Sequence, residues 1–427
     1  MHRITWQIIL ALSLALVIRF GLSLTIYNND VHNHIAWMES VSNSGWQGIY
    51  ERDVSPWASV NYPPISLYTF WASEQIYQQL SQSLATMPVH AALYKLPSIL
   101  ADCLIALLIW VFSPASKKWR AIMMAIFLFN PALIINSVFW GQIESLSALF
   151  TILAVLALIH RQSGWAILSA TITLLIKQNF LPLIPLFFMS IFLLKSSLLK
   201  TISSLLASLA LVILAYAIVV PPGQSLLPYA FSSYVSSIGG QIHQHLSSVN
   251  ALNIWYTLGL NQVSDSPYRT FSLLALMVGV YLGLKWLYRL RANPYLSYWV
   301  AVYLTSIWTF VFSTRMHERH SYMAIAYLTF LIPYSPALRW LYIVLSVISF
   351  YNTYAVWMEY FATGMSAGWS TSMIFISLVT TLTALYSAYL PSQFLHQNRI
   401  KPQVMDRGEA ENSLIFRSPH GRKLRSA

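Results

Sequence analysis

Residues 4–27 read ITWQIILALSLALVIRFGLSLTIY, an apolar run broken by the single charge of Arg19, opened by Arg3 and closed by Asn28. It exceeds the roughly 15-residue core of a secretory signal and lacks a small-residue cleavage site. The reading is an uncleaved first helix, long enough to cross a bilayer. The rest of the chain agrees. Of 427 residues, 57% are hydrophobic and 9% charged, with mean hydropathy +0.57; a soluble domain carries about 25% charged residues. No water-soluble fold of this length hides that much apolar surface, whereas a helical bundle in lipid does. The sole cysteine, Cys103, excludes a disulfide framework and a cysteine zinc site, and reads as a small buried hydrophobe.

Basic residues fall in short patches between apolar runs, and this sets the register. Residues 28–92 are polar and aromatic, and the stretch ISLYTFWASEQIYQQL at 65–80 is amphipathic. Laid in the interface, it lets a helix at 94–113 exit at Lys117, Lys118 and Arg120 on the cytosolic side. Spans follow at 121–138 and 145–160, then 164–194, which is too long for one helix and splits into two around Lys177, Pro182 and Pro185. Further spans lie at 201–219, 269–286, 296–312, 321–334, 340–356 and 370–390. The expectation is an all-α polytopic membrane protein of about twelve transmembrane helices. A transmembrane domain covers 1–390, with interfacial helices in a first extracytoplasmic loop at 28–92 and a second large one at 221–267. A basic tail at 391–427 is expected to be disordered or to lie on anionic lipid. In this register both termini and eighteen of the 25 Lys and Arg residues are cytosolic. The net charge of +12 thereby has a membrane explanation and does not call for nucleic acid.

Nine of the 13 acidic residues fall at the outer side or edge. Acids contribute little to insertion, so their concentration there points to chemistry. Asp30 follows the first helix; a carboxylate beside low-dielectric surroundings can serve as a base, and alternatively it is a solvated loop residue. Trp140-Gly141-Gln142-Ile143-Glu144 forms a turn between spans. Glu144 either faces a cavity or is a first-turn acid favoured by the helix dipole. Lys177-Gln178 interrupts an apolar stretch, and the lysine calls for a phosphate or an acidic neighbour. Thr314-Arg315-Met316-His317-Glu318-Arg319-His320 is the densest charge cluster; it can hold a phosphate through forked arginine hydrogen bonds or form a structural ion-pair network. It does not satisfy the HExxH zinc pattern. Asn250, Asn253 and Trp255 can cap a helix or line a sugar site. His32, His34, His243, His245, His317 and His320, spread over three loops, match a metal site only loosely.

The order of these clusters resembles the GT-C superfamily of polyprenyl-phosphate-sugar-dependent glycosyltransferases. It is most similar to bacterial members related to the GPI and ALG-type mannosyl- and glucosyltransferases. The matching features are Asp30 after the first helix, Tyr62-Pro63-Pro64, Gly141-Gln142-x-Glu144, Lys177-Gln178, Asn250 to Trp255, and Met316 to His320. They cover roughly residues 1–360. Glu144 stands where Asp is more usual, and His320 where Tyr is. The resemblance implies inverting glycosyl transfer at the extracytoplasmic face of a bacterial inner membrane. Asp30 is then the general base, while Lys177, Arg315 and Arg319, with His317, bind the donor phosphate. Tyr62, Gln142, Glu144, Gln178, Glu318, Asn250, Asn253 and Trp255 are candidates for binding sugar or acceptor. The implied partners are a lipid-linked sugar donor and a glycan, glycolipid or protein acceptor. A leaving group held by cations requires no metal or cofactor, and none is expected. The rival readings are a carrier or flippase for lipid-linked sugars, which needs no base, and a structural subunit.

Overall fold

The computed structural model describes residues 6–25, 29–54, 59–239, 245–363 and 370–396; His243 and the tail from 397 onward lie outside the described residues. In chain order the helices are α1 (Trp6–Ser23), α2 (Asn29–Ser44), α3 (Pro64–Gln78), α4 (Met87–Phe112), α5 (Lys117–Leu128) and α6 (Pro131–Ile134). The last runs straight into a π-wound turn, Ile135–Trp140. There follow α7 (Glu144–Ile159), α8 (Ser163–Ile176), α9 (Ile184–Leu193), α10 (Leu198–Ala217), α11 (Leu226–Gly239) and α12 (Ile254–Thr257). The remainder are α13 (Arg269–Arg289), α14 (Pro294–Phe312), α15 (Tyr322–Thr329), α16 (Pro336–Thr363), α17 (Thr371–Tyr389) and α18 (Ser392–His396). The fold is nearly all-α. Among the described residues a short sheet joins β1 (Ser248–Val249) in parallel to β2 (Met316–His317).

Among the described residues seven helices, α1, α4, α10, α13, α14, α16 and α17, are long and apolar enough to cross a membrane. An eighth crossing arises if α5 and Pro131–Trp140, bent by 44°, count as one span. The twelve expected spans are therefore not matched by twelve long helices. Helices α7, α8 and α9 are apolar but run only 16, 14 and 10 residues. At 1.5 Å per residue even the longest reaches about 24 Å, short of a roughly 30 Å hydrocarbon core. The expected span at 321–334 is the eight-residue α15 followed by a 3-10 turn at Ile332–Tyr334. The break within 164–194 falls at Lys177, whose backbone is extended (φ −155°), and Pro185 opens α9. Helix α4 begins at Met87, earlier than its apolar core suggests, because Pro88 in its first turn and a polar face carrying His90 and Tyr94 pack on α3.

Helix α14 sits at the centre, with 83% of its apolar window buried, whereas α10 has 11% and stands at the rim. In lipid, helices associate by close packing more than by hydrophobic burial. Gly279 of α13 illustrates this: a Cβ there would lie 2.6 Å from the Trp308 ring of α14. Trp299 of α14 stacks flat on Phe330 at 3.8 Å between ring centroids.

Cross-helix contacts define two ends. Lys95 near the start of α4 donates to the Ser23 carbonyl at the end of α1 (3.1 Å). Ser66 at the start of α3 donates to the Ile176 carbonyl at the end of α8 (2.6 Å). Thr314 after α14 donates to Ser272 at the start of α13 (2.9 Å). At the other end Phe112 meets His160, and Arg339 lies 4.3 Å over Trp119. Lys117, Arg120, Arg161 and Arg339 fall at this second end.

Between the two ends lies a buried polar knot. Arg19 of α1 donates to Asp102 of α4 (2.6 Å), Ser137 of the π-wound turn (3.0 Å) and the Leu128 carbonyl of α5 (2.7 Å). Asp102 also accepts from Ser137 (2.7 Å) and from the Tyr322 hydroxyl of α15. A lone charge at this depth is expensive, and removing one partner of a buried pair costs about 3–5 kcal/mol. Arg19→Met and Asp102→Asn are each expected to lower the thermal unfolding midpoint of the detergent-solubilised protein. The double variant should melt above either single one, because no charge is then left stranded. Independent, additive losses would contradict the coupling.

Candidate functional site

The α1/α4 end carries a cluster built from five separate segments. Asp30 stands in the first turn of α2. Its Oδ2 accepts from Trp140 Nε1 (2.6 Å) and from Gln142 Nε2, and lies 3.7 Å from Arg319 Nη2. Tyr62 donates its hydroxyl to Gln142 Oε1 (2.9 Å), so one glutamine ties the Tyr-Pro-Pro segment to Asp30. Glu144 opens α7, fully buried, and accepts from Lys177 Nζ; its Oε1 lies 4.0 Å from Arg319 Nε. Arg319 is paired with Glu318 (2.6 Å) and sits 5.5 Å over the Trp140 ring, while Lys177 sits 5.1 Å over Tyr62.

Gly141 makes this assembly possible. It closes the π-wound turn in the left-handed region (φ 76°), and a Cβ there would lie 2.6 Å from Val31 and 3.2 Å from the Lys95 stem. Only glycine lets the start of α2 press against the turn, which aims Trp140 and Gln142 at Asp30. π-Wound turns recur at functional sites because they re-aim the residues that follow.

The electrostatics are those of a crowded, mostly dry cleft. Asp30 is the most open of the five charged groups, its side chain 30% exposed against 12% for Arg319 and none for Glu144. Burial pushes the Glu318 carboxyl above its ordinary range, against the pull of Arg319. Burial, reinforced by the Arg319 charge, holds His317 and His320 well below the usual imidazole range, so both are neutral at pH 7. Such a site can accept a proton at Asp30 and hold an anionic group against Lys177 and Arg319.

The structure thus brings together Asp30, Tyr62, Gln142, Glu144, Lys177, Glu318 and Arg319, with His317 in the same loop (Nδ1 4.0 Å from Glu318). Lys177 has Glu144 as its acidic neighbour. Gln178 turns aside to Ser237 (2.6 Å) and the Asn61 carbonyl (3.3 Å). Arg315 is not brought into the cluster. Its Nε donates to Asp265 (2.6 Å) and its Nη2 meets His245 (3.0 Å), so a carboxylate at the start of α13 already occupies its charge. Asn250, Asn253 and Trp255 serve as scaffold, not as lining. Asn250 turns the chain in the left-handed region (φ 60°) and accepts from Asn261 and Gln262. Asn253 caps α12, and Trp255 packs against Tyr268 and Phe271. Through the β1–β2 pairing this segment braces the loop that presents Arg319.

Sequence reasoning placed Trp140 in its turn without giving it a role, and passed over Lys95. An indole nitrogen beside a Gly-Gln turn was the available signal for the first. Lys95 is fully buried at the back of the turn, and its charge inside an apolar helix was the signal for the second. Among the described residues no three His, Cys, Asp or Glu side chains gather as metal ligands.

His34 supplies a pH-dependent test of the wall. It is buried against Phe70 (ring centroids 4.1 Å) and near Trp37 and Tyr62. Burial holds its imidazole down to about 3. The unfolded chain gains a proton there below about pH 6.5 and the folded chain does not, so stability falls as pH drops from about 6.5 toward 3. At pH 5 the loss is about 2 kcal/mol. The melting midpoint should fall between about pH 7 and pH 5, and His34→Phe should flatten that fall; an unchanged slope in the variant contradicts the assignment. No protein-family model matches the chain, and no curated protein matches it, so the functional reading rests on the chemistry of the site itself.

Proposed function

We propose that the chain is a GT-C-like integral-membrane glycosyltransferase. In this reading it transfers a sugar from a polyprenyl-phosphate carrier to an acceptor hydroxyl, with inversion at the anomeric carbon. The observation that carries it is one relatively open carboxylate, Asp30, 3.7 Å from Arg319 and at the same bundle end as Lys177. The acceptor oxygen forms its bond to the anomeric carbon while its proton passes to Asp30. The bond from that carbon to the phosphate oxygen breaks, and its electron pair leaves with the lipid phosphate, which gains one negative charge. Lys177 and Arg319 are preorganised where that charge develops. Both are paired with carboxylates before the donor arrives. The lipid phosphate would take the place of Glu318 on the Arg319 guanidinium. His317 and the Tyr62, Gln142 and Trp140 wall would orient the sugar. Arg315, whose side chain reaches Asp265 and His245 and no member of the Asp30 cluster, has no part in this scheme.

The basic patches at the opposite bundle end support placing that end in the cytosol and the site on the extracytoplasmic face. In this reading the short apolar helices complete about twelve crossings in a bacterial inner membrane, with the two termini in the cytosol.

The test is reconstituted protein with polyprenyl-phosphate hexoses and a panel of glycan, glycolipid and peptide acceptors, scored for transferred sugar and released lipid phosphate. Asp30→Asn should lower transfer by about 10²–10⁴-fold while donor binding persists. Arg319→Lys, which keeps charge but loses the fork, should lower it at least about tenfold. Full turnover by Asp30→Asn would sink the mechanism and leave a carrier that moves lipid-linked sugars without chemistry.

A further inference from the structure

A concavity lies next to the Tyr62 segment. It is a half-enclosed pocket of about 230 Å³ lined by Tyr50, Glu51, Tyr229, Ser232, Ser233 and Ser236. Helix α11 supplies the last four residues, and the 3-10 turn Ile49–Glu51 of the first loop supplies the other two. Tyr50 and Tyr229 are aromatic faces with hydroxyl tips, and Tyr229 is 5% exposed. The serines offer both donors and acceptors. Among the described residues Glu51 is the only charged side chain in the lining, and it also accepts from Gln224 (3.1 Å).

This chemistry selects its ligand. An anionic phosphate or carboxylate would meet Glu51 with no cation in the lining to offset it. An aliphatic chain would cover three hydroxyls and a carboxylate and leave their remaining hydrogen-bonding capacity unfilled. A neutral polyhydroxylated ring fits both demands, because its C–H face can lie on a tyrosine and its hydroxyls can pair with Ser and Glu oxygens. The pocket also connects to the cluster already described. Val60 lines it, and the Tyr50 hydroxyl donates to the carbonyl of Tyr62 (2.9 Å), whose own hydroxyl reaches Gln142 and so Asp30. Ser237, next to Ser236, holds Gln178. The pocket and the Asp30 cluster thus share the Tyr62 segment.

We infer that this pocket binds a neutral saccharide unit of the acceptor, so that the acceptor is a carbohydrate chain and not a peptide. The inference rests on the glycosyl-transfer reading for its purpose, but the binding itself does not depend on turnover. A saccharide seated there has its next ring at the Tyr62 wall, on the way to Asp30.

Saturation-transfer NMR on the full chain in nanodiscs would test it with a panel of methyl hexopyranosides, methyl N-acetylhexosaminides and their neutral disaccharides. At least one saccharide should bind. Ser236→Trp, which fills the pocket, should weaken it by about tenfold or more, while Asp30→Asn should bind like the wild type. If Ser236→Trp does not fold by its melting profile, Glu51→Gln combined with Ser232→Val removes two polar partners without adding bulk and should give the same direction of change. Binding unaltered by these changes, or no binding of any panel saccharide by the wild type, overturns the inference. Transfer retained by Asp30→Asn removes the catalytic reading and leaves the pocket standing. Transfer by a wild type that binds no saccharide removes the pocket and leaves the catalytic reading.

Discussion

The carboxylate of Asp102 is the constraint on which the working end depends. It lies in the apolar middle of α4 and accepts from Arg19, Ser137 and Tyr322, which belong to three other segments. A charge buried in that setting is tolerable only if its hydrogen-bonding capacity is filled, so α1, the π-wound turn and α15 have little freedom to move relative to α4. Two of those segments lead directly into the site. Three residues past Ser137 the chain reaches Trp140 and then Gln142, and three residues before Tyr322 it carries Arg319. The interior ion pair therefore sets the spacing of the groups that face Asp30, without touching anything that binds there.

The site itself is built on opposition of charge instead of excess. Asp30, Glu144 and Glu318 stand against Lys177 and Arg319 within a wall of Tyr62 and Trp140 rings. In a cleft this dry, two unpaired cations would be costly and would weaken the bundle end. Pairing each with a carboxylate offsets that cost. The aromatic rings lie over both cations, which limits the positions that the long side chains can adopt.

The same economy explains the loop between α14 and α15. Arg315 and Arg319 are four residues apart but serve different ends, since Arg315 is spent on Asp265 and His245 while Arg319 reaches the cleft. The loop needs such an anchor because it has almost no regular structure. Two paired residues in β1 and β2, the Asn250 turn and the Asn253 cap are what hold it. A sugar-binding reading of Asn250, Asn253 and Trp255 was reasonable from residue type. Capping and packing are the commoner use of asparagine and tryptophan beside a helix start, and here they prevail.

Sequence alone determined the class of protein and the segments that matter. Hydropathy and the spacing of basic patches report on the solvent each residue meets, which is a local property. They therefore located the first helix, the break at Lys177 and the polar clusters at Asp30, Gln142–Glu144 and Met316–His320. They did not report helix length, because apolar composition is the same in a long helix and in a short one, as in α7 and α15. Tertiary structure alone decided the pairings: Glu144 with Lys177, Asp265 with Arg315, Asp102 with Arg19, and Tyr62 with Gln142. Partners separated by dozens of residues leave no periodic trace in one chain. Which of two nearby arginines faces a cleft depends on where a distant carboxylate has been placed by the packing of other helices.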